Sequence, residues 1–128
     1  QRTLGVEMEM KMPHILLADR NKNSRSALGL LLETRLGATI VGEASTMECL
    51  LKQAAEIRSD VVLIEWELPG KPEADRIALL RCVAPGVQMV VMSARPQSAA
   101  LAIGADAFVN KVDPPEYILA VLKERSKK

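Results

Sequence analysis

Long apolar runs, an excess of either charge and a cysteine framework are all missing from this chain of 128 residues. No apolar stretch approaches the roughly 18 residues of a membrane span, and the start lacks a signal-peptide pattern. No membrane contact is therefore expected, and a cytoplasmic location is. Lys and Arg number 17 against 16 Asp and Glu, a net charge of +1. No basic face is announced, so direct nucleic-acid binding by this domain is not expected. The basic end, with Lys123, Arg125, Lys127 and Lys128, fits the last turn of a helix, where cations meet the negative end of the dipole. Cys49 and Cys82 are the only cysteines, far apart among apolar neighbours. They read as buried free thiols in a reducing cytosol, not as a disulfide or a metal pair. No GxGxxG loop follows the first apolar run, which argues against a small-ligand sensor. His14 stands alone and is not read as a phosphorelay histidine.

What is present suits one soluble α/β domain. Hydrophobic residues make up 48% and charged residues 26%, and the length allows one real core but not two. Residues 1–12 lie outside the repeating pattern and read as a leader or the tail of another segment, leaving 13–128 as the domain. The first residue is Gln1, which suggests a fragment, a processed form or a trimmed chain.

The most informative stretch is Asp60-Val61-Val62-Leu63-Ile64-Glu65, an apolar run ending in a carboxylate, with Pro69-Gly70 just beyond. Such a run reads as a buried parallel strand, and its carboxyl end is where open α/β sheets place their chemistry. His14–Ala18 reads as a first strand, followed by a helix capped by Asn23 or Ser24 with Ala27, Leu28, Leu31, Leu32 and Leu36 inward. Residues 38–44 form a second strand, and Ser45-Thr46 caps a helix running to about Arg58. Pro72 to Val83 predicts a third helix. Residues 87–92 form a fourth strand, a short Ala-rich helix ends near Gly104, and 106–109 form a fifth strand. Pro114-Pro115 opens a last helix with Tyr117, Ile118, Val121 and Leu122 inward. Strands alternating with five helices mean βα units and a parallel sheet.

The polar residues ending the strands are Asp19 and Arg20, Glu65, Ser93 and Lys111. A doubly wound sheet brings such ends to one crevice. Two carboxylates, a hydroxyl and an ammonium gathered there suit a phosphoryl group or a metal.

On these positions, together with Val41-Gly42-Glu43-Ala44, Leu68-Pro69-Gly70, Val90-Val91-Met92-Ser93-Ala94 and Gly104-Ala105-Asp106-Ala107-Phe108, residues 13–125 resemble the receiver domain of bacterial two-component response regulators. The resemblance implies a flavodoxin-like, five-stranded parallel sheet in the order 2-1-3-4-5. It also implies a phosphoryl acceptor at the end of the third strand, a Mg²⁺ site beside it, and a switch aromatic at Phe108. Asp19 matches the first acidic position, Ser93 the hydroxyl and Lys111 the lysine.

Two positions depart from that pattern. Glu65 stands at the acceptor position in place of Asp, and Arg20 stands at the second acidic position. Asp19 and Glu65 against Arg20 and Lys111 make a formally neutral pocket. Arg20 removes a hard oxygen ligand and adds fixed positive charge, so Mg²⁺ is expected to bind weakly or not at all. The longer Glu65 displaces the nucleophilic oxygen from an in-line approach. The expectation is a degenerate, non-phosphorylatable pseudo-receiver, not an enzyme and without a cofactor. It would act as an interaction module in a two-component or transcriptional control system, the alternative being a working receiver with Glu65 as an atypical acceptor. About four residues, roughly one helical turn, are missing between Ser93 and Gly104 relative to that family. The face of the fourth helix, fifth strand and last helix, through which a protein partner or second copy would bind, is altered accordingly.

Overall fold

Strands without a polar face define the centre of the molecule. The computed structural model describes residues 13–95, 102 and 104–125. Its five strands are β1 (His14–Ala18), β2 (Thr39–Ala44), β3 (Val61–Glu65), β4 (Gln88–Ser93) and β5 (Ala107–Asn110). They form one sheet in the order β2-β1-β3-β4-β5, with every neighbouring pair parallel. All five residues of β3 are buried, as a strand covered on both faces requires.

Because side chains alternate along a strand, successive residues feed two separate cores. Leu16, Val62, Ile64, Met89 and Val91 pack on one face, against Met47, Leu50 and Ala54 of α2 (Met47–Glu56) and Ile77 and Leu80 of α3 (Arg76–Val83). Ile15, Leu17, Val61, Leu63 and Val90 pack on the other. There they meet Leu32 of α1 (Lys22–Leu36) and Ile118 and Leu122 of α4 (Pro115–Arg125). The sheet is thus doubly wound, and the carboxyl ends of β1, β3, β4 and β5 lie along one edge.

Several local expectations are corrected. Four α-helices, not five, are found among the described residues; the short Ala-rich helix expected before Gly104 lies at positions mostly outside them. The cap of α1 is Asn21, whose side chain accepts from Ser24 N at 2.9 Å, because Asn21 N is itself drawn back to Asp19 Oδ1. The helix expected from Pro72 begins as a 3₁₀ turn, Glu73–Asp75, and becomes α-helical only at Arg76. The cause is the turn before it: Gly70 sits at φ +100° and Lys71 at φ +39°, so the chain is left-handed where a helix would have to be entered. Cys82 is exposed and Cys49 partly buried, against the expected pair of buried thiols. Tyr117 is exposed rather than inward. Trp66 is wholly buried in the first core.

No helix among the described residues is long and apolar enough to cross a membrane.

Candidate functional site

The site is built by four strand ends. Parallel pairing sets Ala18 beside Ile64, Glu65 beside Met92 and Ser93 beside Asn110. Asp19, Glu65, Ser93 and Lys111 therefore emerge together, and the first three are buried to 2% exposure or less. Asp19 is fixed on both sides: Oδ1 accepts from Asn21 N at 2.9 Å, and its carbonyl accepts from Arg25 Nη1 at 2.7 Å. Lys111 N donates to the Ser93 carbonyl at 3.0 Å, which holds the lysine at the end of β5.

Glu65 lies between two cations without a hydrogen bond to either. Arg20 Nε is 4.0 Å from Oε1 and Lys111 Nζ is 4.0 Å from Oε2. Oε2 accepts instead from Glu67 N at 3.0 Å, while Oε1 is buried with no hydrogen-bond partner. Burial, and next the hydrogen bond with the Glu67 side chain, push the Glu65 carboxyl up to about 7; Lys111 pulls against this and Asp19 adds to it. Arg20 is 61% exposed, so the fixed charge expected in the pocket stands at its mouth.

The residue that reading by strand ends misses is Glu67. Burial alone would raise its carboxyl, but hydrogen bonds with Glu65, Arg95 and Ser93, and the charge of Arg95, bring it down to about 2. Ser93 Oγ donates to Glu67 Oε2 at 2.8 Å, so the hydroxyl expected to serve Glu65 is engaged by the carboxylate two residues on. Arg76 was also missed. Its guanidinium, 5% exposed at the residue level, donates to the carbonyls of Trp66, Gly70 and Lys71 and lies 5.5 Å over the Trp66 ring. It shapes the loop after β3 from below. Phe108 is partly buried and packs against the first core.

A cavity of about 210 Å³ opens beside the pocket, with Asp19 and Lys111 at its rim and Leu31, Met92 and Ile118 among its walls. That is below the usual size of a small-molecule site. The pocket residues also fit a divalent cation poorly. Among the described residues no group of three acidic, His or Cys side chains is placed to hold a metal ion. Arg20 argues against a fit, since it brings a fixed positive charge to within 4.0 Å of Glu65 Oε1.

A five-stranded, doubly wound parallel sheet in the order β2-β1-β3-β4-β5 is the flavodoxin-like architecture, and Asp19, Glu65, Ser93 and Lys111 stand at its carboxyl edge. The structure superposes on a CheY-like response regulator receiver domain protein from Methanospirillum hungatei with a TM-score of 0.79 and 20% identity, covering 90% of this chain and 94% of that one. By sequence it is 29% identical over 114 residues to the nitrate/nitrite response regulator protein NarL of Escherichia coli, covering 86% of this chain and 53% of that protein. It is 26% identical over 98 residues to the chemotaxis protein CheY of Thermotoga maritima, covering 73% of this chain and 82% of that one. No protein-family model matches the chain. Relatives and structural neighbours together support a receiver (CheY-like) domain of a two-component response regulator. The chain spans about half the length of the nitrate/nitrite regulators it matches.

Proposed function

We propose that this receiver domain does not carry out phosphoryl transfer and works as a regulatory interaction module in two-component or transcriptional control. The observation that carries the reading is the pairing of Arg20 with Glu65 at 4.0 Å, with Lys111 at 4.0 Å on the other oxygen. Two cations already balance the pocket carboxylates, so a divalent cation gains little by entering. Without it, a phosphodonor lacks the charge clamp on which phosphoryl transfer depends. A side chain protonated up to about pH 7 is also a poor nucleophile below that pH. The module would bind a protein partner or a second copy through the face of β5 and α4, where Val112 and Tyr117 are 77% and 55% exposed.

The competing reading, a working receiver with Glu65 as acceptor, draws on the convergence of Asp19, Ser93 and Lys111 around a buried carboxyl. Incubation with acetyl phosphate and Mg²⁺, followed by intact mass, separates the two. No mass gain is expected. A gain of one phosphoryl group that disappears in Glu65→Ala would overturn the proposal.

A further inference from the structure

A carboxylate shared by two donors lies one step outside the pocket, on the loop leaving β3. Glu67 Oε2 accepts from Ser93 Oγ and from Arg95 Nε, both at 2.8 Å. Arg95 continues through Nη2 to Glu73 Oε2 at 3.1 Å, in the 3₁₀ turn before α3. Its backbone N–H donates to Ser93 Oγ at 3.0 Å. One carboxylate thereby ties the last residue of β4, the chain just beyond it and the loop between β3 and α3 into a closed ring of contacts.

We propose that Glu67 is an internal anion that latches the exit of β4 onto the β3–α3 loop and withholds the Ser93 hydroxyl from the pocket of Asp19, Glu65 and Lys111. A hydroxyl has one proton to give, and an ionised carboxylate only accepts, so the bond to Glu67 commits that proton. Charge-assisted bonds of this kind are about twice as strong as neutral ones. The ring matters more than its exposed member: Arg95 is 44% exposed and an isolated pair there would contribute little, but here it shares Glu67 with a fully buried serine. The latch deepens the reading above, on which it rests only in taking this pocket as the control point. The position of the β4 exit is then set by a carboxylate of the chain itself.

The test is site-resolved backbone amide exchange on the intact chain, comparing wild type with Glu67→Gln, Arg95→Gln and Ser93→Ala. Glu67→Gln keeps the side-chain shape and removes the charge. The Arg95 amide, which donates to Ser93 Oγ, is expected to exchange about tenfold faster in Glu67→Gln and Ser93→Ala, while amides of β1 and β3 are unchanged. Combining Glu67→Gln with Arg95→Gln is expected to add little to either alone, because both break the same ring. An unchanged Arg95 amide in Glu67→Gln, or fully additive effects in the double variant, would overturn the latch. Should Glu67→Gln unfold, the surface change Arg95→Gln carries the same comparison: faster exchange at the Ser93–Ala94 link supports the latch and unchanged exchange refutes it. Phosphoryl uptake by the wild type would overturn the proposed function yet leave this exchange pattern as it is.

Discussion

Arg20 Nε stands 4.0 Å from the buried Oε1 of Glu65, close enough for the charges to interact and too far for a hydrogen bond. The guanidinium is mostly in water and the carboxyl is not, so the two groups pay unequal desolvation. That inequality makes the charge state of Glu65, rather than the strength of the ion pair, the property to measure.

Stability should depend on pH through Glu65 and Glu67 in opposite senses. Glu65 rises from an ordinary 4.5 to about 7 on folding. Below pH 4.5 it is protonated in both states; between 4.5 and 7 the unfolded chain releases its proton first, so the fold loses stability and stays lower above that window. Glu67, held near 2, stabilises above pH 4.5 and loses that contribution as pH falls toward 2. Urea unfolding at pH 5 and pH 8 should show wild type losing up to about 3 kcal/mol, and Glu65→Gln should flatten most of that difference. An equal slope in the variant would mean that other groups govern it.

Mg²⁺ should leave no saturable signature. The single tryptophan, Trp66, is fully buried and adjacent to Glu65, which makes its fluorescence a local reporter. A titration into the millimolar range is expected to give a flat or linear response in wild type. Arg20→Asp should introduce curvature, because it restores an oxygen ligand and removes the competing charge. Saturation in the wild type at low millimolar Mg²⁺ would contradict the assignment of Arg20.

Two changes should restore the chemistry only in part, and a third should raise it further. Arg20→Asp with Glu65→Asp supplies the ligand and the shorter acceptor, but Ser93 still donates to Glu67. Adding Glu67→Gln is expected to raise phosphoryl uptake from acetyl phosphate several-fold over the double variant, read as the rate of mass gain. Equal rates would show that the hydroxyl reaches the pocket despite Glu67.

Arg76 should be costly to remove although it touches neither Asp19 nor Ser93. Its guanidinium satisfies three loop carbonyls in a nearly waterless position. Arg76→Ala is expected to destabilise by about 2 to 4 kcal/mol in chemical denaturation. Arg76→Lys should recover little, since a point charge cannot span three acceptors as a planar fork does.

The thiols should differ in reactivity. Cys82 is exposed and Cys49 partly covered, with Gln53 Nε2 3.1 Å from its sulfur. An aromatic disulfide reagent is expected to modify Cys82 in the native chain well before Cys49, and equal rates would place Cys82 differently.

The sheet was legible because its middle strands are buried on both faces, which leaves continuous apolar runs too short for helices and bounded by turn residues. Glu65 was legible for the same reason, being the first polar group after such a run, whereas Lys111 follows Asn110 at the end of a half-buried edge strand. The start of the third helix was not, because Pro72 offers a good first turn while the left-handed backbone at Gly70 and Lys71 postpones it. Cys82 and Tyr117 show the limit of helical periodicity: a stripe names the positions near a core, and the facing element decides how wide a stripe is covered.

By itself, the sequence determined the order of elements, the two-sided core and the set of polar residues at the strand ends, since each follows from spacing along the chain. Only the tertiary structure decided how those residues pair. Glu67, Arg76 and Arg95 lie in or beside loops, where no repeat fixes a side chain's direction. Glu67 and Arg95 find their partners only after β3 and β4 are set side by side, 26 residues from Glu67 to Ser93 and 28 from Glu67 to Arg95, while Arg76 closes back on the carbonyls of the loop before it. The Ser93 hydroxyl then donates its one proton to Glu67 Oε2 at 2.8 Å, a carboxyl whose hydrogen bonds and neighbouring Arg95 hold it low.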